Sequence, residues 1–170
     1  METTIVNKVA ESGIVTLNLE NYYHEGPRMS IDLKDILFMG MILKEKDFRE
    51  WIKTHDWNQY KNANVCIFCS ADAIIPTWAY MLVAAKLNGI AHHFVFGDME
   101  TLENSLFEKA LSTINTDDFA DKRVVIKGCG EKNISASAYV EITKLLQPVV
   151  KSLMFGEPCS TVPVYKKSIA

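Results

Sequence analysis

Three short apolar runs, about one strand–helix unit apart, constrain the fold of this chain more than any other feature of its sequence. They are Val65–Cys69, His93–Phe96 and Arg123–Ile126. Each is followed by a turn and then by a stretch with helical periodicity, the pattern of successive βα units. Cys69, Asp98 and Cys129, at or just past their ends, lie 29 and 31 positions apart. Such alternation implies parallel strands joined by right-handed crossovers. Val65–Cys69 is almost unbroken in its apolar character, which suits a strand covered on both faces. The expected fold class is α/β, a three-layer sandwich on a mainly parallel sheet.

The flanking segments fill in this frame. Thr4 can cap a short helix through Ser12, ended by Gly13. Val15, Leu17 and Leu19 alternate with polar residues, as do Met29, Ile31 and Leu33, predicting two half-buried strands that pair as a hairpin. They form a small antiparallel N-terminal addition to the sheet. A short helix opens at Asp32 or Asp35 and stops at Gly40. Phe48, Trp51 and Ile52 put an apolar stripe on a helix over 44–55. Pro76 starts a helix that runs to about Asn88, and 99–113 forms the next. Ser135 caps the last, whose stripe (Ile142, Leu145, Leu146, Val149, Val150, Leu153) predicts a helix to Gly156, kinked or split at Pro148. Thr161–Tyr165 reads as an edge strand, where Pro163 is tolerated.

At 170 residues the chain suits one domain over 1–170. Within it, 1–60 has mixed character and 61–170 is the repeating βα part, with the change near Trp57–Asn64. No internal repeat is legible. Hydrophobic residues at 48% and charged residues at 23% match globular proteins, so disorder is not expected. A net charge of −3 without a basic stripe argues against nucleic acid. No apolar run is long enough to span a bilayer, and the N-terminus lacks the pattern of a signal peptide. The expected location is therefore the cytoplasm. There, four cysteines point to free thiols, metal ligands or catalysis rather than disulfides.

Ligands of open parallel sheets bind beyond the carboxyl ends of the strands, near helix N-termini. Cys69, Ser70 and Asp72, then Asp98, then Gly128, Cys129 and Gly130 are expected on that rim. Glycines beside Cys129 let a ligand approach the backbone, and helix N-termini favour thiolates. Cys159 sits in the polar turn Glu157–Thr161 and reaches the same crevice if the chain turns back at Pro148. Metal ligation is expected of Cys69, Cys129 and Cys159, ligand contact of Ser70, Gly128, Gly130, Ser160 and Thr161, and general-base work of Asp72 or Asp98. Asp98 suits a helix cap equally well. Cys66 falls inside its strand and reads as a core residue. Its spacing to Cys69 spells C-x-x-C, but the two side chains point to opposite faces, so they do not form a redox pair. His24, His55, His92 and His93 read as surface or core residues.

Five segments carry a resemblance: EKDFREW (45–51), SADAIIPTWAYM (70–81), VFGD (95–98), VVIKGCG (124–130) and SLMFGEPCSTVPVYK (152–166). In these the chain resembles a family of bacterial proteins of about this length known only as a domain of unknown function. That likeness implies a shared site and no assigned activity. Cys69-Ser70-Ala71-Asp72 is also similar to the first part of the zinc-binding run of β-class carbonic anhydrases. The arginine of that run is missing here, and no histidine precedes Cys129.

Three functions compete on this basis. The first is a thiolate-metal-dependent enzyme acting on a small molecule, with zinc or an iron–sulfur cluster as cofactor. The second is a non-enzymatic module with structural thiols that binds a protein partner. The third is a metal-free cysteine-dependent enzyme with Cys129 or Cys159 as a low-pKa nucleophile. A homo-oligomer is compatible with each.

Overall fold

The computed structural model describes residues 13–127, 130–157 and 159–168. The expected helix over Thr4–Ser12 lies outside them. The chain divides into two compact units: the described parts of Met1–Tyr23 and Phe107–Ala170 form a terminal unit, and His24–Leu106 forms a central unit. The change of character near Trp57–Asn64 falls inside the central unit.

The strands are β1 (Ile14–Leu17), β2 (Arg28–Asp32), β3 (Asn64–Phe68), β4 (His93–Phe96), β5 (Arg123–Ile126), β6 (Ser152–Glu157) and β7 (Ser160–Lys166). The α-helices are α1 (Glu45–Thr54), α2 (Thr77–Leu87), α3 (Met99–Leu111) and α4 (Ala136–Leu146). The unit boundary falls within α3.

In the central unit β2, β3 and β4 form a parallel sheet in that order. Alternation along β3 sorts its side chains between two faces. Val65 and Ile67 join a cluster with Phe48 and Ile52 of α1 and Ala79, Val83 and Leu87 of α2. Cys66 joins Leu102 and Leu106 of α3. Each fully buried large side chain contributes about 1.5–3 kcal/mol. Arg28 Nε donates to Glu103 Oε1 at 2.7 Å, tying β2 to α3.

In the terminal unit the order is β1-β5-β6-β7. The first three strands run parallel, and β7 is antiparallel to β6. Leu17, Val124, Ile126 and Leu153 pack with Phe107, Leu111, Ala138, Ile142 and Leu146.

The α/β class with mainly parallel strands is as expected, but the pairing differs in three ways. First, β1 pairs with β5 and β2 with β3, so the N-terminal hairpin does not form and the antiparallel pair is C-terminal. Alternation reveals which face of a strand is buried, not which strand lies beside it. Second, β5 belongs to a different sheet from β3 and β4. Third, the last helix ends at Leu146 with Gln147 as its C-cap, and 152–157 is a strand. Pro148 lacks the N–H that a further turn needs. It stops the helix instead of kinking it.

A repeat also appears that the sequence conceals. From Asp56 to Asp98 the chain matches Asn115 to Glu157 without a gap, at an offset of 59 (115 − 56 = 59). Asp56 and Asn115 each cap a 3-10 turn through the side chain. Asn62 and Asp121 both adopt positive φ, 59° and 54°, and Gly97 and Gly156 do so at 135° and 123°. Ala79 and Ala138, Val83 and Ile142, and Leu87 and Leu146 are buried at matching places on α2 and α4. Asp32 at the end of β2 and Asn18 just past β1 again cap 3-10 turns. Each unit therefore carries a β-α-β-α-β plan, and what repeats is burial and backbone conformation more than residue identity.

Candidate functional site

Of the three thiols expected in one crevice, Cys69 belongs to the central unit and Cys159 to the terminal unit. Cys69, past β3, is half-buried against the central unit's apolar cluster, with its Sγ 3.8 Å from the Ala71 carbonyl oxygen. Beside it, Ser70 donates to Asp32 through its N–H (3.0 Å) and its hydroxyl (2.6 Å). Burial disfavours ionisation of Asp32, but these bonds and the Lys34 N–H outweigh it and hold the carboxyl below its usual range. Burial leads the effects that push the Tyr80 phenol up, and the Asp32 charge adds to it. Asp72 is exposed. Asp98 caps α3: its Oδ1 accepts from the Thr101 N–H at 2.9 Å and from the Thr101 hydroxyl at 2.7 Å. Those bonds, the backbone one first, lower its pKa. A carboxylate engaged in this way acts as a helix cap.

Gly128 and Cys129 lie outside the described residues. Their neighbours Lys127 and Gly130 line a polar cleft of about 320 Å³ in the terminal unit. Asn18, Glu20, Lys132, Asn133 and Tyr139 complete its polar wall. This cleft sits past the carboxyl ends of β1 and β5, the part of a parallel sheet where ligands bind. It forms because the loop after β1 meets the loop after β5. Asn18 caps the 3-10 turn that follows β1, which brings Glu20 across to the loop after β5. Glu20 Oε1 there accepts the Lys132 N–H at 2.6 Å. A Cβ on Gly130 would collide with the Glu20 carboxylate, so only glycine fits at 130 while Glu20 keeps this place. The Lys132 N–H leads the groups that hold Glu20 below the usual carboxylate range; Asn18, the Glu131 N–H and the Lys127 charge add to it. Glu20 is therefore an anion at neutral pH, fixed in place. The Lys132 ammonium lies 5.1 Å from the Tyr23 ring centroid. The N-terminus of α4 follows at Ala136 and adds positive potential.

Cys159 is exposed in the turn between β6 and β7. β6 runs parallel to β5, with Ile126 beside Phe155. Lys127 and the turn that carries Cys159 therefore follow adjacent strands at the same rim. The return that the sequence assigned to a bend at Pro148 is made by a whole strand. Ser160 pairs with Glu157 and Thr161 with Gly156 in that hairpin, and the Thr161 hydroxyl donates to Met154 Sδ at 3.7 Å. Among the described residues no group of three or more His, Cys, Asp or Glu is placed to hold a metal ion.

Asn18, Glu20, Lys132, Asn133 and Tyr139 were not singled out from sequence. The run Lys127–Asn133 carries a signal: a strand end followed by glycines and basic residues. Glu20 carries none, because its partner lies 112 positions away. Cys66 is buried as expected, which raises its thiol pKa. The histidines engage other side chains. The His24 and His92 rings stack at 3.9 Å, His55 lies against Trp51, Trp57 and Tyr60, and His93 Nε2 is 2.8 Å from Ser105 Oγ. No helix among the described residues is long and apolar enough to cross a membrane.

Fold and cleft together define an α/β protein of two parallel-sheet units, one of which carries a polar rim cleft. Residues 3–167 match the family described as "Protein of unknown function (DUF2480)", and the chain belongs to that family. No curated protein matches it, and no solved structure does.

Proposed function

We propose that this protein is a cysteine-dependent enzyme acting on a small acidic molecule bound in the cleft of the terminal unit. The observation that carries this reading is the cleft lining: two lysines converge where Cys129 follows Lys127 by two residues and precedes Gly130 by one. Lys127 and Lys132 supply charge for a carboxylate or phosphate group. The same charge, with the α4 N-terminus, favours the thiolate of a neighbouring cysteine and so its nucleophilicity. Glu20 holds the Lys132 backbone in place. A cytoplasmic location suits such a thiol, because reducing conditions keep it free.

A thiolate-metal reading survives in reduced form. Cys129, three residues past β5 in sequence, and Cys159, in the turn after β6, would give two ligands to zinc or an iron–sulfur cluster. One pair of measurements separates the two. Inorganic phosphate or malonate at millimolar concentration should raise the melting temperature of the metal-free protein, and Lys127→Ala or Lys132→Ala should abolish the shift. Stoichiometric zinc or iron after anaerobic purification, lost in both Cys129→Ser and Cys159→Ser, would instead favour the metal. A melting temperature that responds to neither anion would remove support for the acidic substrate.

A further inference from the structure

We infer that the open edge of β4 is a dimerisation surface, where the strand pairs antiparallel with β4 of a second copy of this chain.

The internal repeat shows what an edge of this kind carries when it is covered. An apolar cavity in the central unit is lined by Ile67, Tyr80, Ala84, Phe94, Val95 and Phe96, and measures about 530 Å³. At the offset of 59 these become Ile126, Tyr139, Thr143, Leu153, Met154 and Phe155, which line the corresponding cavity of the terminal unit. That cavity measures only about 200 Å³, and Val164 of β7 forms part of its wall. The ring pairs correspond as well: Tyr80 meets Phe96 edge-on at 4.9 Å, and Tyr139 meets Phe155 edge-on at 5.6 Å. The two sites differ in the strand alongside. β6 has β7 on its outer side, while β4 has β3 as its single strand neighbour among the described residues.

The edge of β4 is fit for pairing. The N–H groups of His93 and Gly97 donate toward the β3 side, to Ala63 and Ile67. By alternation Phe94 and Phe96 present their N–H and C=O groups outward. The strand has no lysine, proline or bulge, the usual guards of a free edge. Its flank is apolar, with Phe96 68% exposed and Met81 of α2 66% exposed.

Two features select a second copy as the occupant. A twofold axis beside β4 makes the two strands antiparallel, which is the direction β7 adopts on β6. With Val95 on the axis, Phe94 faces the partner's Phe96 in hydrogen-bonded register, so the outward backbone groups and the two rings of each strand meet their own counterparts.

Sedimentation equilibrium across micromolar concentrations tests this. The wild type should be a dimer. Phe96→Lys should raise its dissociation constant about a hundredfold, because two lysines are buried per dimer. Met81→Lys, on an exposed helix position, should weaken it in the same direction and guards against a folding defect in the strand variant. Val140→Lys, at the matching place on α4, should leave the dimer intact. A wild type that stays monomeric, or a dimer indifferent to both Phe96→Lys and Met81→Lys, would overturn the inference.

Discussion

The two units follow one β-α-β-α-β plan, and they differ in opposite senses at the rim and at the edge. In the central unit the residues past the strands bond to one another: Ser70 engages Asp32 twice, and Asp98 caps a helix. The terminal unit has Asn18 where the central unit has Asp32, and glycine where it has Cys69 and Ala71; a polar cleft with two lysines stands there. At the edge the contrast reverses. β7 covers β6, while β4 is bordered by a larger apolar cavity. Repetition of a scaffold therefore does not repeat its chemistry. A few substitutions past the strand ends decide which copy presents polar groups, and one added strand decides which copy presents an apolar edge.

The two matching glycines give the sharpest way to break this comparison. Both Gly97 and Gly156 hold a left-handed φ, which strains any other residue. A Cβ at Gly97 would meet the Thr101 side chain at 2.8 Å, whereas at Gly156 it would meet the Ser160 carbonyl oxygen at 2.6 Å. A side chain can rotate away and a paired strand cannot. Gly156→Ala should therefore cost about 2–3 kcal/mol and Gly97→Ala about 1 kcal/mol by urea denaturation. Equal losses would mean that the hairpin turn tolerates the added carbon.

Next comes pH. Burial, partly offset by the Asp56 charge, lowers the pKa of His55, which packs among Trp51, Trp57 and Tyr60 of the central unit. A base whose folded pKa lies below its unfolded value binds fewer protons when folded. Stability is then complete above the unfolded value of about 6.5 and falls as pH drops below it. The terminal unit has Ile114 at the matching position and no histidine in its sequence, so this sensitivity belongs to the central unit. Melting temperatures from pH 7.5 to 5 should decline in the wild type and decline less in His55→Phe. An unchanged slope would assign the decline to other groups.

The smallest effect is expected from giving the central unit the residue its counterpart uses. Asp32→Asn should keep the 3-10 cap, as Asn18 does, and cost less than about 1 kcal/mol at neutral pH. Because the Asp32 pKa is lowered by folding, the stability it confers is present above about pH 4 and is lost as pH falls further. The wild type and the variant should thus converge in acid. A gap that persists at pH 3 would contradict that role.

Much of the local structure was legible in the sequence. β4 and β5 have the bounds expected from their apolar runs, and Cys66 lies in the core because an unbroken strand is covered on both faces. Sheet membership was not legible. β1 and β5 pair across more than 100 positions, and nothing in Ile14–Leu17 names Arg123–Ile126 as its neighbour. The repeat was hidden for a related reason: Val83 matches Ile142 and Asn62 matches Asp121, pairs that conserve burial or φ rather than identity. The expectation that Cys69 and Cys129 share one rim assumed a single continuous sheet, whereas β3 and β5 belong to different sheets. Glu20 was missed because its role depends on a loop far along the chain.

Alkylation at pH 7 with iodoacetate and iodoacetamide, followed by peptide mapping, tests the cleft most directly. If two lysines draw acidic molecules to the Cys129 loop, Cys129 should react with the anionic reagent far faster, relative to the neutral one, than it does in denaturant. Lys127→Ala with Lys132→Ala should remove that preference. Slow labelling of Cys129 with no bias toward the anion, in both wild type and variant, would contradict the account.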